Sequence, residues 1–298
     1  MLRAVVALGL ALTAAAAPPE ASRLLLDAAR SGEALVVVGE RGAILRSSDE
    51  GASWTVSPAP VSATLTAVAF ADDSVGWAVG HDGVILHSTD GGRSWAVQHA
   101  EADREASFLD ICAVDARHAL AVGAYGLFLA TSDGGATWTP RRISEDDFHF
   151  NRIVRTPKGV LFIAGEAGTL LRSTDAGESW EPVSADYEGS FFGLLPLSDG
   201  SLIAHGLRGR LFRSADEGAA WEDVGTEQTG LLATAVQLQN GSIVVAGQAR
   251  TFLVSTDSGR AFTPWSPPHT TGVAEVLELK TGGLLLVGES GVTRLPAP

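Results

Sequence analysis

The chain of 298 residues carries one cysteine, one methionine and two tyrosines. A single cysteine excludes an internal disulfide, so no covalent framework holds the fold. Cys112 stands in Phe108-Leu109-Asp110-Ile111-Cys112-Ala113-Val114, a strand pattern, and is expected to act as a small buried hydrophobe. Basic residues are scarce as well: 21 Lys and Arg against 35 Asp and Glu leave a formal charge of −14. A nucleic-acid partner needs a basic footprint, which sets that class aside. Solubility and neutral or cationic partners are favoured instead. None of the seven histidines has ligand spacing, so neither a metal nor a cofactor is expected. Residues 1–17, MLRAVVALGLALTAAAA, read as a secretory signal, with Arg3 before an apolar core and then small residues. Pro18 and Pro19 move the expected cleavage back to Ala15 or Ala16. The apolar stretch is short for a membrane span of about 20 residues. The expectation is an exported protein.

What is present is one statement made repeatedly. Ser47-x-Asp49-x-Gly51-x-x-Trp54 is followed by equivalents built on Asp90 and Trp95, Asp133 and Trp138, Asp175 and Trp180, and Asp216 and Trp221. A worn sixth copy has Asp257 and Phe262. Successive aspartates lie 41, 43, 42, 41 and 41 residues apart. An apolar stretch ending in glycine precedes each, at Gly39, Gly80, Gly123, Gly165, Gly206 and Gly247, and a seventh, Gly288, keeps the step. A period of this size in strand-like units predicts an all-β fold: a seven-bladed β-propeller of four-stranded antiparallel blades, one domain over residues 18–298.

Unit two shows the plan. Leu65 to Phe70, Gly76 to Gly80, Val84 to Ser88 and Ser94 to Gln98 are short runs of strand formers bounded by Gly, Asp and Ser. A Gly-x-x-Gly turn joins strands two and three, where glycine tolerates positive φ. The Ser-x-Asp-x-Gly-x-x-Trp segment joins strands three and four. Its aspartate can accept hydrogen bonds from its own turn, and its tryptophan can pack on the sheet. Folding explains these residue types, so Asp49, Asp90, Asp133, Asp175, Asp216 and Asp257 are read as structural, not as acid–base groups. Unit seven stops at Pro296 without its aspartate hairpin or fourth strand, and Pro18 and Pro19 make a poor replacement strand. Ring closure is expected to be weak.

The aspartate motif is the Asp-box of sialidases and related propellers. The longer run Gly76-Trp77-Ala78-Val79-Gly80-His81-Asp82-Gly83 through Ser88-Thr89-Asp90-Gly91-Gly92-Arg93-Ser94-Trp95 resembles the photosystem II stability/assembly factor family, and the pattern recurs from about residue 22 to 295. The resemblance implies a seven-bladed, non-enzymatic chaperone, monomeric and peripheral to the membrane, that assists a membrane-associated protein client. It implies the periplasm, or the thylakoid lumen in a photosynthetic organism. It also implies an arginine patch. Arg46, Arg172 and Arg213 each stand three residues before an Asp-box aspartate, where other units have His87, Ala130 and Val254. These arginines fit a blade-bridging role or a partner-binding patch.

Strand order is expected to put the Asp-box hairpins on one face, and the Gly-x-x-Gly turns with the inter-blade connections on the other. Side chains inside those turns differ from copy to copy, as a recognition surface requires. Arg41, Tyr125 and Arg208 lie there, and Arg141 and Arg142 open the loop 141–150 with its acids, two phenylalanines and a histidine. These five side chains are candidate partner contacts. The alternative is glycan binding or sialidase-like hydrolysis. A sialidase needs a tyrosine nucleophile with a glutamate partner, and only Tyr125 and Tyr187 are available. No Arg-Ile-Pro signature occurs, and seven units exceed the six blades of sialidases.

Overall fold

The computed structural model describes residues 18–100 and 106–298. The expected signal segment and the connection 101–105 lie outside the described residues. Seven antiparallel sheets follow one another along the chain, six of four strands and the last of three. In each, the strands lie side by side in chain order. The first strands are Leu25–Ser31, Leu65–Phe70, Phe108–Ala113, Phe150–Arg155, Phe191–Pro196, Leu232–Gln237 and Val273–Glu278. Each touches the first strand of the next sheet, and the seventh touches the first, which makes them the inner wall of a closed ring. The second strands, such as Ala34–Gly39 and Leu161–Gly165, are buried along their whole length because sheets cover both of their sides. The fourth strands are outermost and mostly two residues long, as in Thr55–Val56 and Glu181–Pro182. Such short edges give little template for pairing with another chain.

The seven periodic glycines have a reason the sequence concealed. Gly39, Gly123 and Gly206 have φ of −176°, −168° and −170°, extended backbone that any residue adopts. They are glycines because the chain entering the first strand crosses them at a bulge. A Cβ on Gly39 would stand 2.3 Å from the Leu24 carbonyl oxygen, and one on Gly206 2.1 Å from that of Ser190. The positive φ expected for the turn belongs to its second glycine, +68° at Gly42 and +70° at Gly126. In blade six, where Arg250 replaces that glycine, Ala249 and Arg250 take φ of 54° and 61°.

Apolar clusters lie between blades, each joining two neighbours. Trp54 packs with Leu285 of blade seven, Trp95 with Val36 of blade one, Trp180 with Leu120 of blade three, and Trp221 with Phe162 of blade four. Each Asp-box aromatic thus fastens its own blade to the one before it, and Phe262 does the same against Ile203. Cys112 is buried in such a cluster, and burial pushes its thiol up to about 12.

Among the described residues the seventh blade has three strands, as expected, and no strand from the N-terminal side joins it. Residues Pro19–Ser22 form a single 3-10 turn. It fills the place that inter-blade connections take elsewhere: a Cβ on Gly291 would stand 1.8 Å from the Ala21 carbonyl oxygen. Polar contacts close the remaining seam. Arg30 of blade one donates to Glu50 at 2.7 and 2.9 Å and to the Glu278 carbonyl of blade seven at 2.8 Å. The Lys280 amide donates to Glu50 at 2.8 Å, and its ammonium reaches Glu33 at 2.7 Å.

Candidate functional site: a face of left-handed turns, a charged channel and the Asp-boxes

All six Asp-boxes are wired alike. The Ser47 hydroxyl donates to Asp49 Oδ1 at 2.7 Å and accepts from the Gly51 amide at 2.8 Å, while Asp49 accepts from the Ser53 amide at 2.9 Å. The same three bonds recur around Asp90, Asp133, Asp175, Asp216 and Asp257. These bonds hold the aspartates below the usual carboxylate range. Bonds from the Thr137 amide and hydroxyl bring Asp133 to about 2, and those from the Ser179 hydroxyl and amide do the same for Asp175. Folding thus accounts for these carboxylates, whose bonds stay within their own turns.

Two of the three third-strand arginines named above bridge blades. Arg46 Nε donates to the Gly91 carbonyl at 3.0 Å and Arg213 Nε to that of Ser258 at 2.9 Å, both in the next blade's Asp-box. Arg172 pairs with Glu181 of its own fourth strand at 2.7 Å. Arg141 also bridges, from blade three to the Gly177 carbonyl at 3.0 Å and Glu178 at 2.9 Å, with its guanidinium over the Phe128 ring. A fourth member of the arginine position escaped the sequence reading. Arg294 pairs with Leu285 as Arg46 pairs with Val36. The hairpin of blade seven is tighter by one residue, which shifts the numbering by which it would have been found.

The opposite face carries the turns and the connections together, because each turn's second glycine donates to the connection beyond it. Gly42 N–H bonds the Ala63 carbonyl, Gly126 that of Phe148, and Gly209 that of Gly230. At the tips, Arg41, Tyr125 and Arg208 all have φ of 56°, and Tyr125 is 73% exposed. An L-residue in this region costs about 1–2 kcal/mol relative to glycine. Tyr125 stands edge-on to His149 at 4.7 Å, and His149 Nδ1 lies 3.5 Å from Glu166. Arg142 is exposed beside it and ties its own loop through the Ser144 and Glu145 carbonyls. Tyr125, Arg142, Asp146 and Asp147 border a shallow hollow of about 350 Å³. A larger hollow, about 880 Å³, lies between Tyr187, Glu188, Leu207 and Arg208. Within the loop 141–150, Phe148 is exposed, whereas Phe150 is buried and begins blade four.

The ring's centre holds a site that the sequence reading missed. Asp27, Ala67, Asp110, Arg152, Gly193, Thr234 and Glu275 share one register position on the seven inner strands. Arg152 reaches across to three blades, 2.8 Å from Glu275, 3.5 Å from Asp110 and 3.7 Å from Asp27. The carboxylates are also tied to neighbouring blades: Asp27 accepts from the Val68 amide and Asp110 from that of Ile153, both at 2.7 Å. Burial raises Asp27 and Asp110, with Arg152 opposing it. His205 fills the space at Gly193, donates from Nδ1 to the Leu232 carbonyl at 3.0 Å, and is lowered to about 4, chiefly by burial.

A pH dependence follows. His205 has a folded value of about 4 against 6.5 unfolded, so its stabilising share is complete above pH 6.5 and is lost as pH falls through 4. The gap corresponds to roughly 3 kcal/mol at full development. Asp27, raised on folding, acts in the opposite sense and offsets part of the loss. Below pH 3.8 the Asp-boxes withdraw their own share as they protonate toward 2. His205→Gln should flatten the limb between pH 6.5 and 4 in urea midpoints while leaving the lower drop in place. An unchanged upper limb would remove His205 from the account.

With this geometry in view, comparison with known proteins places the chain. No curated protein matches it. Among solved structures, "YCF48 bound to D1 peptide" superposes with a TM-score of 0.74 at 20% identity, over 93% of this chain and 94% of that one. YCF48 from Cyanidioschyzon merolae gives 0.73 at 17%, over 91% and 94%. The extracellular domain of the putative one-component system BT4673 from B. thetaiotaomicron gives 0.70 at 12%, over 91% of this chain and 38% of that one. At these identities the likeness is one of fold. The sequence itself matches the family model of the photosynthesis system II assembly factor YCF48 over residues 20–102 and 96–273, nearly all of the ring, and the chain therefore belongs to that family.

Proposed function

We propose that the chain is an exported, non-enzymatic scaffold that binds a membrane-associated protein and assists its assembly, through the face that carries the Gly-x-x-Gly turns. One observation carries this reading. Arg41, Tyr125 and Arg208 occupy left-handed positions where glycine would be more stable, and all three project from a single face into solvent. Arg and Tyr are over-represented among interface hot spots. Their presence at a conformational cost fits recognition. The similar structure described as YCF48 bound to D1 peptide supports a protein segment as the ligand. The signal-like segment at residues 1–17 supports the periplasm, or the thylakoid lumen in a photosynthetic organism, as the location.

The turn geometry supplies a clean test. Arg41→Gly/Tyr125→Gly/Arg208→Gly removes three side chains where glycine fits the backbone, so the melting temperature should hold or rise. Co-purification of envelope proteins with the exported chain should fall at least tenfold. Arg141 is kept out of this variant because it bridges blades three and four. Undiminished capture would move binding to another surface. The Tyr125–His149–Glu166 neighbourhood leaves one chemical rival: turnover of a sialoside by the wild type, abolished by Tyr125→Phe, would establish a hydrolase instead.

A further inference from the structure

Between the third strand of one blade and the Asp-box of the next, a repeated polar contact is made. At three junctions its acceptor is the carbonyl of the residue between the aspartate and the glycine of the box. Blade one supplies Arg46 to Gly91, blade five supplies Arg213 to Ser258, and blade two supplies Gln98 from its fourth strand to Gly134 at 2.8 Å. At the junction of blades four and five Arg172 turns instead to Glu181 of its own blade, and the junction of blades three and four departs in another way. Its third-strand position is Ala130, paired with Leu120 as Arg46 is with Val36, and an alanine side chain has nothing to donate. Arg141 stands where Gln98 stands in blade two, three residues after the box tryptophan, but reaches past the expected carbonyl to Gly177 and Glu178. A cavity of about 500 Å³ remains, lined among others by Ala130, Ala176, Asp115, His118, Arg141 and Glu178.

We infer that this cavity receives an arginine side chain from a protein partner, placed where blades one and five place their own. Three features on its wall suit a guanidinium. The Ala176 residue holds the sequence position of Gly91 and Ser258, the two carbonyls that arginines occupy elsewhere. Asp115, held low by the Arg117 amide and its other bonds, keeps a negative charge at the cavity wall, with His118 Nδ1 beside it at 2.8 Å. Glu178 adds a second carboxylate, which Arg141 only partly neutralises because 75% of the glutamate side chain is exposed. A planar guanidinium satisfies carbonyl and carboxylate acceptors together, which an ammonium does less well. The cavity lies at the Asp-box hairpins, away from the face of the glycine turns, so it is a second contact independent of the one proposed above.

The test uses the full chain and two neutral-bodied probes, N-acetyl-arginine amide and its uncharged isostere N-acetyl-citrulline amide. The arginine probe should bind at least tenfold more tightly than the citrulline probe, by calorimetry and by shift in melting temperature. Ala130→Arg fills the cavity from within. It should melt higher than the wild type in buffer and lose the arginine response at least tenfold. Asp115→Asn, which retains the acceptor for the Arg117 amide, should weaken the arginine probe several-fold and leave citrulline unchanged. Equal responses to the two probes, or an arginine response that survives Ala130→Arg, would overturn the assignment. If Ala130→Arg does not fold, the Asp115→Asn comparison decides.

Discussion

Arg152→Ala is expected to destabilise the ring by about 3 kcal/mol at pH 8, more than loss of any surface arginine. The variant leaves Asp27, Asp110 and Glu275, each almost wholly buried, facing one another with no cation between them. Breaking a buried pair from one side costs about 3–5 kcal/mol, and the lower end applies because 36% of the Arg152 side chain meets water in the channel. The loss should shrink as pH falls, because protonation relieves the orphaned carboxylates. For Asp27 the direction is already set, since burial has raised it even beside the guanidinium. Denaturant midpoints at pH 8 and pH 5 measure both effects. A loss under 1 kcal/mol, or one that grows on acidification, would show that the cluster is not what joins these blades. Asp27→Asn should cost less, since an amide oxygen still accepts from the Val68 amide.

A second large effect is expected at the periodic glycines. Gly165→Ala places a Cβ 2.3 Å from the His149 carbonyl oxygen, a backbone atom that cannot step aside without moving the entry into blade four. Overpacking of this kind costs about 3 kcal/mol. Gly200→Ala is the control. Its φ of +87° makes alanine strained, but nothing lies within 4 Å of the added atom. It should cost only about 1 kcal/mol. Equal losses at the two positions would mean that backbone conformation, not close approach, keeps glycine at residue 165.

The repeat was legible because its residues answer to local geometry that recurs identically. An Asp-box needs its serine, aspartate, glycine and aromatic within one hairpin, so the signature lies in consecutive sequence. The seven glycines were visible by spacing, although the cause is contact with the incoming chain and not the turn. The channel cluster was hidden for the opposite reason. Asp27, Asp110, Arg152 and Glu275 meet only after the ring closes, and no two resemble the residue one period away. The available signal was a charge in the third place of the first strand, beside apolar residues, a departure that appears once the copies are aligned by their bulge. A blade-bridging role for Arg46 and Arg213 could be read beforehand, but not the carbonyl each finds, nor the bridge made by Arg141, because these depend on how adjacent blades are rotated together.

The three-stranded seventh blade has a consequence for how the ring is made. Rings that borrow a strand across the closure point knit the first and last blades into one sheet, so the ends must meet early. Here the ends meet through the apolar cluster of Trp54 and Leu285, through Arg30 and Lys280, and through the 3-10 turn at residues 19–22, with no sheet shared between them among the described residues. Arg30 and Glu278 are 248 positions apart, and bringing such distant points together costs roughly 5 kcal/mol of chain entropy. Each earlier blade repays its own ordering by packing on its immediate predecessor, at separations of about one repeat. Assembly can therefore run along the chain as a stack, with the seam joining last. The species that precedes it is a nearly complete arc whose two end blades expose the apolar sides that the finished ring conceals. Its lifetime, set by how fast the apolar cluster and the ion pairs of that seam form, governs how prone the newly made protein is to join a second copy of itself.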